Sequence, residues 1–221
     1  MVIGAYLNSK FTRHTPKNVK TIFEVGARDG LDSIALSEYY DESKVYSFEC
    51  NPNTIQTCIT NLKNRSRINF YSFGLGDTKT KESFFPYTIN NTGASSFFRR
   101  IDFNTTQSII PEIEIETISN FCKDKNLDHI DLLCMDTQGY ELNILKGCGE
   151  LIRKINFIII EEPKRDPNRT YLPEGHSKYL GAPSAYEIQD FLKSNNFIEI
   201  ERVYENELED NVMYKNLDYT G

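Results

Sequence analysis

The chain of 221 residues has no tryptophan, three histidines and no cysteine pair spaced C-x-x-C. Its five cysteines, at positions 50, 58, 122, 134 and 148, are odd in number and scattered. They read as reduced thiols of a cytoplasmic protein rather than as a disulfide framework. No apolar run approaches the ~20 residues that span a bilayer. The opening MVIGAYLNSKFTRH lacks the apolar stretch of a signal peptide. The N-x-T triplets at Asn90, Asn104 and Asn168 therefore read as chance. A basic excess is also missing: 25 Lys and Arg stand against 32 Asp and Glu, a formal net charge of −7. That balance argues against a nucleic-acid backbone as the main partner.

What the chain does have is EVGARDG, Glu24 to Gly30, directly after the apolar run Val19 to Phe23. This reads as a buried strand, a glycine turn and a helix starting near Leu31. Gly26 and Gly30 permit a sharp turn and a close backbone approach to a ligand. The turn is expected to present free amide N–H groups at a helix start, where an anionic group can sit. A second strand, Val45 to Phe48, ends in Glu49. A carboxylate about 20 residues beyond a glycine loop is placed to accept hydrogen bonds from ribose hydroxyls. The two features together describe a pocket for a nucleoside carrying an anion.

Strand and helix patterns alternate along the chain, as in an α/β fold with a mostly parallel sheet and helices on both faces. Strands are expected near 21–25, 44–49, 68–73, 130–135 and 157–160, and then near 197–204 and 212–214. Helices are expected near 31–40, from Pro52 through Leu62, and near 117–125, 141–152 and 184–194. Residues 78–116 break the rhythm and read as an insertion on the main sheet, with short strands near 83–87, 96–98 and 109–115. Its aromatics, Phe84, Phe85, Tyr87, Phe97 and Phe98, read as a small local core rather than a sugar platform. Arg99 and Arg100 read as a solvated pair. Residues 163–182 form a polar loop, containing His176, that is long enough to serve as a lid. The whole of 1–221 is read as one domain.

Ligands of open α/β sheets bind beyond the carboxyl ends of the strands. That rule selects Glu24, Gly26, Glu49, Asp77, Asp136, Glu161 and Glu162. Any one of the acids could instead be a helix cap or a solvated strand end. Asp136 stands out, because Gly139 follows it and again suits close backbone approach.

The segments IFEVGARDG, VYSFECNP, IDLLCMDTQGYELNILKGCGELI and IIIEE, in that order and spacing, resemble the FkbM-type methyltransferases. The resemblance covers residues 20–162, and its most specific part is the block from Asp136 to Gly147. GASSF, Gly93 to Phe97, is similar to a segment of the family's insertion. The chain carries Glu24, Arg28, Cys134 and Gln138 where the family more often has Asp, Asn, Lys and Glu. The resemblance implies a Rossmann-like class I methyltransferase fold: a mostly parallel seven-stranded sheet with an antiparallel C-terminal strand. It implies S-adenosylmethionine as cofactor and O-methylation of a carbohydrate, glycan or related small-molecule hydroxyl. Gly26, Ala27, Arg28 and Gly30 would then hold the methionyl end, with Glu24 attracting its ammonium. Glu49 would hold the ribose, with Cys50 and Asn51 following it, and Gly74 to Asp77 would border the adenine.

A sugar hydroxyl needs a base or a metal to become a nucleophile. Asp136 is the first candidate base, and His176 in the loop is the second. Asp136 with Glu161 or Glu162 could alternatively hold Mg²⁺, a hard cation that favours carboxylate oxygens. Three other readings remain open. A nicotinamide-dependent oxidoreductase would want G-x-G-x-x-G, whereas this loop is Gly26-x-x-x-Gly30. A non-catalytic cofactor- or glycan-binding protein could use the same scaffold. A methyltransferase could also act on RNA or protein.

Overall fold

The computed structural model of the protein describes residues 5–87, 92–100, 108–165 and 179–220. A 3-10 turn, Ala5–Leu7, and a short helix α1, Ser9–Thr12, precede the first strand. The main sheet then begins: β1 Thr21–Val25, α2 Leu31–Tyr39, β2 Lys44–Phe48, α3 Pro52–Leu62 and β3 Ile68–Tyr71. The middle of the chain supplies β4 Gly74–Leu75, β5 Thr80–Phe84 and β6 Ile110–Glu116, followed by α4 Ile118–Lys125. The chain ends with β7 Ile130–Met135, α5 Glu141–Gly147, β8 Ile155–Pro163, α6 Ala185–Ser194, β9 Phe197–Tyr204 and β10 Glu209–Asn216.

The seven-stranded sheet has the order β3-β2-β1-β7-β8-β10-β9. Pairing is parallel from β3 through β8, and β10 runs antiparallel to both β8 and β9. The strand order reverses at β1, which lies between β2 and β7. A crevice for a ligand forms at such a reversal. β8 explains the central burial. Phe157, Ile158, Ile159 and Ile160 are at most 1% exposed, since helices cover both faces. Each contributes about 1.5–3 kcal/mol relative to an exposed position.

Several boundaries differ from the sequence expectations. The third strand stops at Tyr71, and Gly74–Leu75 leaves the main sheet to pair with β6. β4, β5 and β6 therefore build a separate three-stranded sheet, in the order β4-β6-β5, instead of extending the main one. Within it, 96–98 forms no strand, only a single bridge between Phe85 and Ser96. The helix expected to reach residue 152 ends at Gly147 and continues as a 3-10 turn, Gly149–Lys154. A side chain at Gly147 would lie 1.9 Å from the Gly76 carbonyl oxygen, so the helix end and the β4 turn touch backbone to backbone. Among the described residues, no helix is long and apolar enough to cross a membrane.

Candidate active site

A cavity opens at the carboxyl ends of β1, β2 and β7, beneath the small sheet. Gly26, Ala27, Arg28, Glu49, Cys50, Asn51, Gly74 and Asp136 line it, so eight of the expected site residues converge. Val25, Phe48, Phe73 and Leu75 supply apolar wall. Phe84 and Phe97 line the same space with their rings 5.1 Å apart, so the insertion's aromatic core also faces the cavity.

Gly26 has φ +90, and a Cβ there would lie 2.0 Å from the Asp136 carbonyl oxygen. The glycine is required by the neighbouring strand end as well as by any ligand. Most of the loop amides are bonded within the fold. The Gly26 and Ala27 N–H groups both donate to the Phe48 carbonyl at 3.0 Å, and Gly30 N–H donates to the Ala27 carbonyl at 2.7 Å. Arg28 N–H donates to Glu49 at 2.6 Å, and Leu31 N–H to Asp29 at 3.2 Å. Three of these amides, those of Gly26, Ala27 and Arg28, are thus spent on holding the loop against the end of β2. The charged groups on the cavity wall are instead four carboxylates, Asp29, Asp32, Glu49 and Asp136, against one cation, Arg28. Such a wall favours a ligand carrying positive charge.

Glu49 is fixed from two sides, since Asn51 N–H also donates to it at 2.6 Å. Burial raises its carboxyl above the usual range, opposed by these two bonds. The Thr54 side chain and the Cys50 N–H also bond it, and the residue lines the cavity. Asn51 in turn caps α3 by accepting from Asn53 N–H, and its side-chain amide donates to Ser95 of the GASSF segment at 3.3 Å.

Three expected cofactor residues lie elsewhere. Glu24 is 1% exposed and does not line the cavity. It accepts from Ser33 and from Ser47, and burial pushes its carboxyl up to about 8. Gly30 does not line it either: its φ is +79 and a Cβ would meet the Leu62 side chain at 2.9 Å, so it serves helix packing. Asp77 is also off the wall, one residue beyond the turn that meets α5. Cys134 pairs in register with Glu24 on β1 and is fully buried.

At the end of β7, Gln138 and Gly139 have φ of +56 and +101 and turn the chain sharply. Glu141, 1% exposed, accepts from Thr137 N–H at 2.9 Å and Gly139 N–H at 3.3 Å, holding that turn. Burial pushes the Glu141 carboxyl up to about 7. The Gln138 amide nitrogen donates to Asp136 Oδ1 at 2.7 Å and to Glu161 Oε2 at 2.6 Å. Its oxygen accepts from the Tyr179 hydroxyl, to which Arg100 donates at 3.1 Å. Arg100 is buried over the Tyr87 ring, so only Arg99 of the expected solvated pair is exposed. Burial raises both Asp136 and Glu161, and repulsion from Asp136 raises Glu161 further. Two such neighbouring carboxyl groups disfavour both being charged at once.

Glu162 does not join this pair. Successive strand residues point to opposite faces. Glu162 accordingly turns to Arg202, Arg165 and the Tyr214 hydroxyl and is fully buried there. The expected Mg²⁺ site does not fit the geometry. Gln138 aims an amide donor at both Asp136 and Glu161, where a cation would need acceptors. Among the described residues, no group of three or more His, Cys, Asp or Glu could hold a metal ion. His176, and most of the 163–182 loop, lie outside the described residues.

Sequence reasoning missed Tyr6, Asp32, Phe73 and Gln138 on the wall. Asp32 was the most accessible of these, since it occupies the first turn of α2 directly after the glycine loop. Nothing local to the sequence marks Tyr6.

The 2-O-methyltransferase NoeI of Sinorhizobium fredii (strain NBRC 101917 / NGR234) is 22% identical over 166 residues, 69% of this chain and 67% of that protein. The structure of methyltransferase FkbM from Methylobacillus flagellatus KT matches with a TM-score of 0.55 and 17% identity, over 90% of this chain and 44% of that one. Fibrillarin of Aeropyrum pernix, in complex with natively bound S-adenosyl-L-methionine, matches with a TM-score of 0.52 and 11% identity, over 89% of this chain and 66% of that one. The chain thus spans less than half of the Methylobacillus protein, and these structural likenesses concern the fold. A model of the methyltransferase FkbM domain matches residues 24–199, from the glycine loop to β9, and the chain belongs to that family.

Proposed function

We propose that the protein is an S-adenosylmethionine-dependent O-methyltransferase acting on a hydroxyl of a carbohydrate or related small-molecule or glycan acceptor. One observation carries this reading: the cavity wall at the β1–β7 reversal holds four carboxylates and one cation, with Glu49 fixed by two backbone amides. S-adenosylmethionine brings a sulfonium and an ammonium against one carboxylate, a net charge that such a wall attracts. A nicotinamide dinucleotide would bring a pyrophosphate to a loop whose Gly26, Ala27, Arg28 and Gly30 amides are already bonded. The name of the Sinorhizobium relative supports oxygen as the methylated atom.

When bound, the cofactor supplies a methyl group activated on sulfur for in-line displacement. The chain's part is to bind, orient and keep water out. Glu49 receives the ribose hydroxyls, and Phe48, Phe73 and Leu75 offer the adenine an apolar wall. Phe84 and Phe97 roof the space. Asp136 takes the proton of the acceptor hydroxyl as its oxygen becomes nucleophilic. Gln138 holds Asp136 in place, and Glu161 stays protonated beside it.

Incubation of the full chain with methyl-labelled S-adenosylmethionine and a panel of oligosaccharides and small polyols tests this reading. Label in an alkali-stable ether on an acceptor, with S-adenosylhomocysteine released, is the expected result. Binding of NAD but not of S-adenosylhomocysteine would overturn it. Cofactor binding without transfer across the panel would favour a binding protein on the same scaffold.

A further inference from the structure

The segment ahead of β1 lies before residue 24, where the family match begins, yet it reaches the cavity. Ala5–Leu7 forms one 3-10 turn against α2. Tyr6 is 4% exposed and is packed with Leu36, Tyr40 and Cys134 on the α2 side of the sheet. It lines the same cavity as Gly26, Asp32 and Asp136. Its hydroxyl has Asp136, Cys134, Glu24 and Asp32 as electrostatic neighbours. Next to it, the Ala5 backbone N–H bonds the Asp32 carboxylate.

We propose that this segment is part of the cofactor site, with the Tyr6 hydroxyl and the Asp32 carboxylate receiving the amino-acid end of S-adenosylmethionine. The inference rests on the methyltransferase reading above and names the residues of one of its subsites. An α-amino acid presents an ammonium, which needs an acceptor, and a carboxylate, which needs a donor. Asp32 is an acceptor and the Tyr6 phenol is a donor at neutral pH. The amides of Gly26, Ala27, Arg28 and Gly30, the usual alternative donors, are bonded within the fold. Glu24, the usual alternative acceptor, sits off the wall behind Ser33 and Ser47. The segment thus adds a donor, Tyr6, beside an acceptor, Asp32, that the first turn of α2 already presents.

The test compares two ligands on the full chain by calorimetry: S-adenosylhomocysteine, and 5′-methylthioadenosine, which keeps the adenosyl thioether but lacks the amino-acid end. Tyr6→Phe, which preserves the packed ring, is expected to weaken S-adenosylhomocysteine about tenfold, the loss of one hydrogen bond to a charged group. Asp32→Asn is expected to weaken it by about tenfold or more on the same grounds. Both variants should bind 5′-methylthioadenosine as the unaltered chain does. Unchanged S-adenosylhomocysteine affinity in both variants, or equal losses for the two ligands, would overturn the assignment and leave the segment a packing element. Failure of the unaltered chain to bind either ligand would instead remove the methyltransferase reading itself.

Discussion

Gln138 donates its side-chain amide to Asp136 Oδ1 at 2.7 Å. The same nitrogen reaches Glu161, and the amide oxygen is committed to Tyr179, so the group cannot rotate without breaking three bonds. Asp136 is thereby aimed at the cavity by a residue that carries no charge of its own.

Replacing Asp136 by Asn should cut turnover by about 10²- to 10⁴-fold, the usual worth of a positioned base. Affinity for S-adenosylhomocysteine should change by no more than a few-fold. Gln138→Leu keeps the carboxylates but frees them, and about a tenfold drop in kcat is expected with cofactor KM unchanged. Steady-state kinetics with a saturating acceptor separates the two effects.

Glu49→Ala removes the acceptor of two backbone N–H groups as well as the ribose contact. Unpaired buried amides cost about 1–3 kcal/mol each, so thermal or urea unfolding should show a loss of at least that size. Affinity for S-adenosylhomocysteine should fall about tenfold or more. A fall in stability with unchanged cofactor affinity would assign Glu49 to the loop alone.

Glu24 gives a pH dependence with a definite sign. Its carboxyl rises from 4.5 to about 8 in the fold because burial disfavours the charged form. Between those values the native state binds more protons than the unfolded chain, so stability falls as pH rises through that window. The contribution is complete below about pH 4.5 and lost above about pH 8. Glu24→Gln removes the titration. The melting temperature of that variant relative to the unaltered chain should therefore climb from pH 5 to pH 9. A difference that stays flat would show that Glu24 keeps its charge in the fold.

Gly26→Ala should be among the most damaging single changes. A methyl group there would meet the Asp136 carbonyl oxygen at 2.0 Å, at a φ of +90 that side chains rarely adopt. Steric and backbone strain together should cost about 3 kcal/mol or more. Relief can come only by parting the ends of β1 and β7, which would also move Asp136. Chemical denaturation measures the stability loss, and a cofactor titration of the folded fraction measures the displacement.

Much of the fold was legible because strand and helix periods are local properties. β1 and β7 have the bounds that their apolar runs predict, and α2 and α6 fall within a residue of expectation. The misplaced boundaries have tertiary causes. β8 and β10 are longer than their apolar centres because each is completed by pairing with the other. Gly74–Leu75 continues the pattern of β3, yet its partner is β6, some 40 residues away in the chain.

The site divides the same way. Residue type and order alone marked Gly26, Glu49 and Asp136, because a turn between strand and helix restricts which residues can occupy it. Whether a marked residue reaches the cavity depended on side-chain direction and on competing partners, which neighbouring strands supply. Glu161 and Glu162 differ by one position and face opposite sides of the sheet, one toward Asp136 and one toward Arg202. The amides of the glycine loop were visible in the sequence, but their commitment to Phe48 and Glu49 was not, since those bonds cross from β1 to β2. The sequence by itself determined the alternating architecture and the acids at its strand ends. Only the tertiary structure decided which of those acids meet, and that Tyr6, far from them in the chain, lies among them.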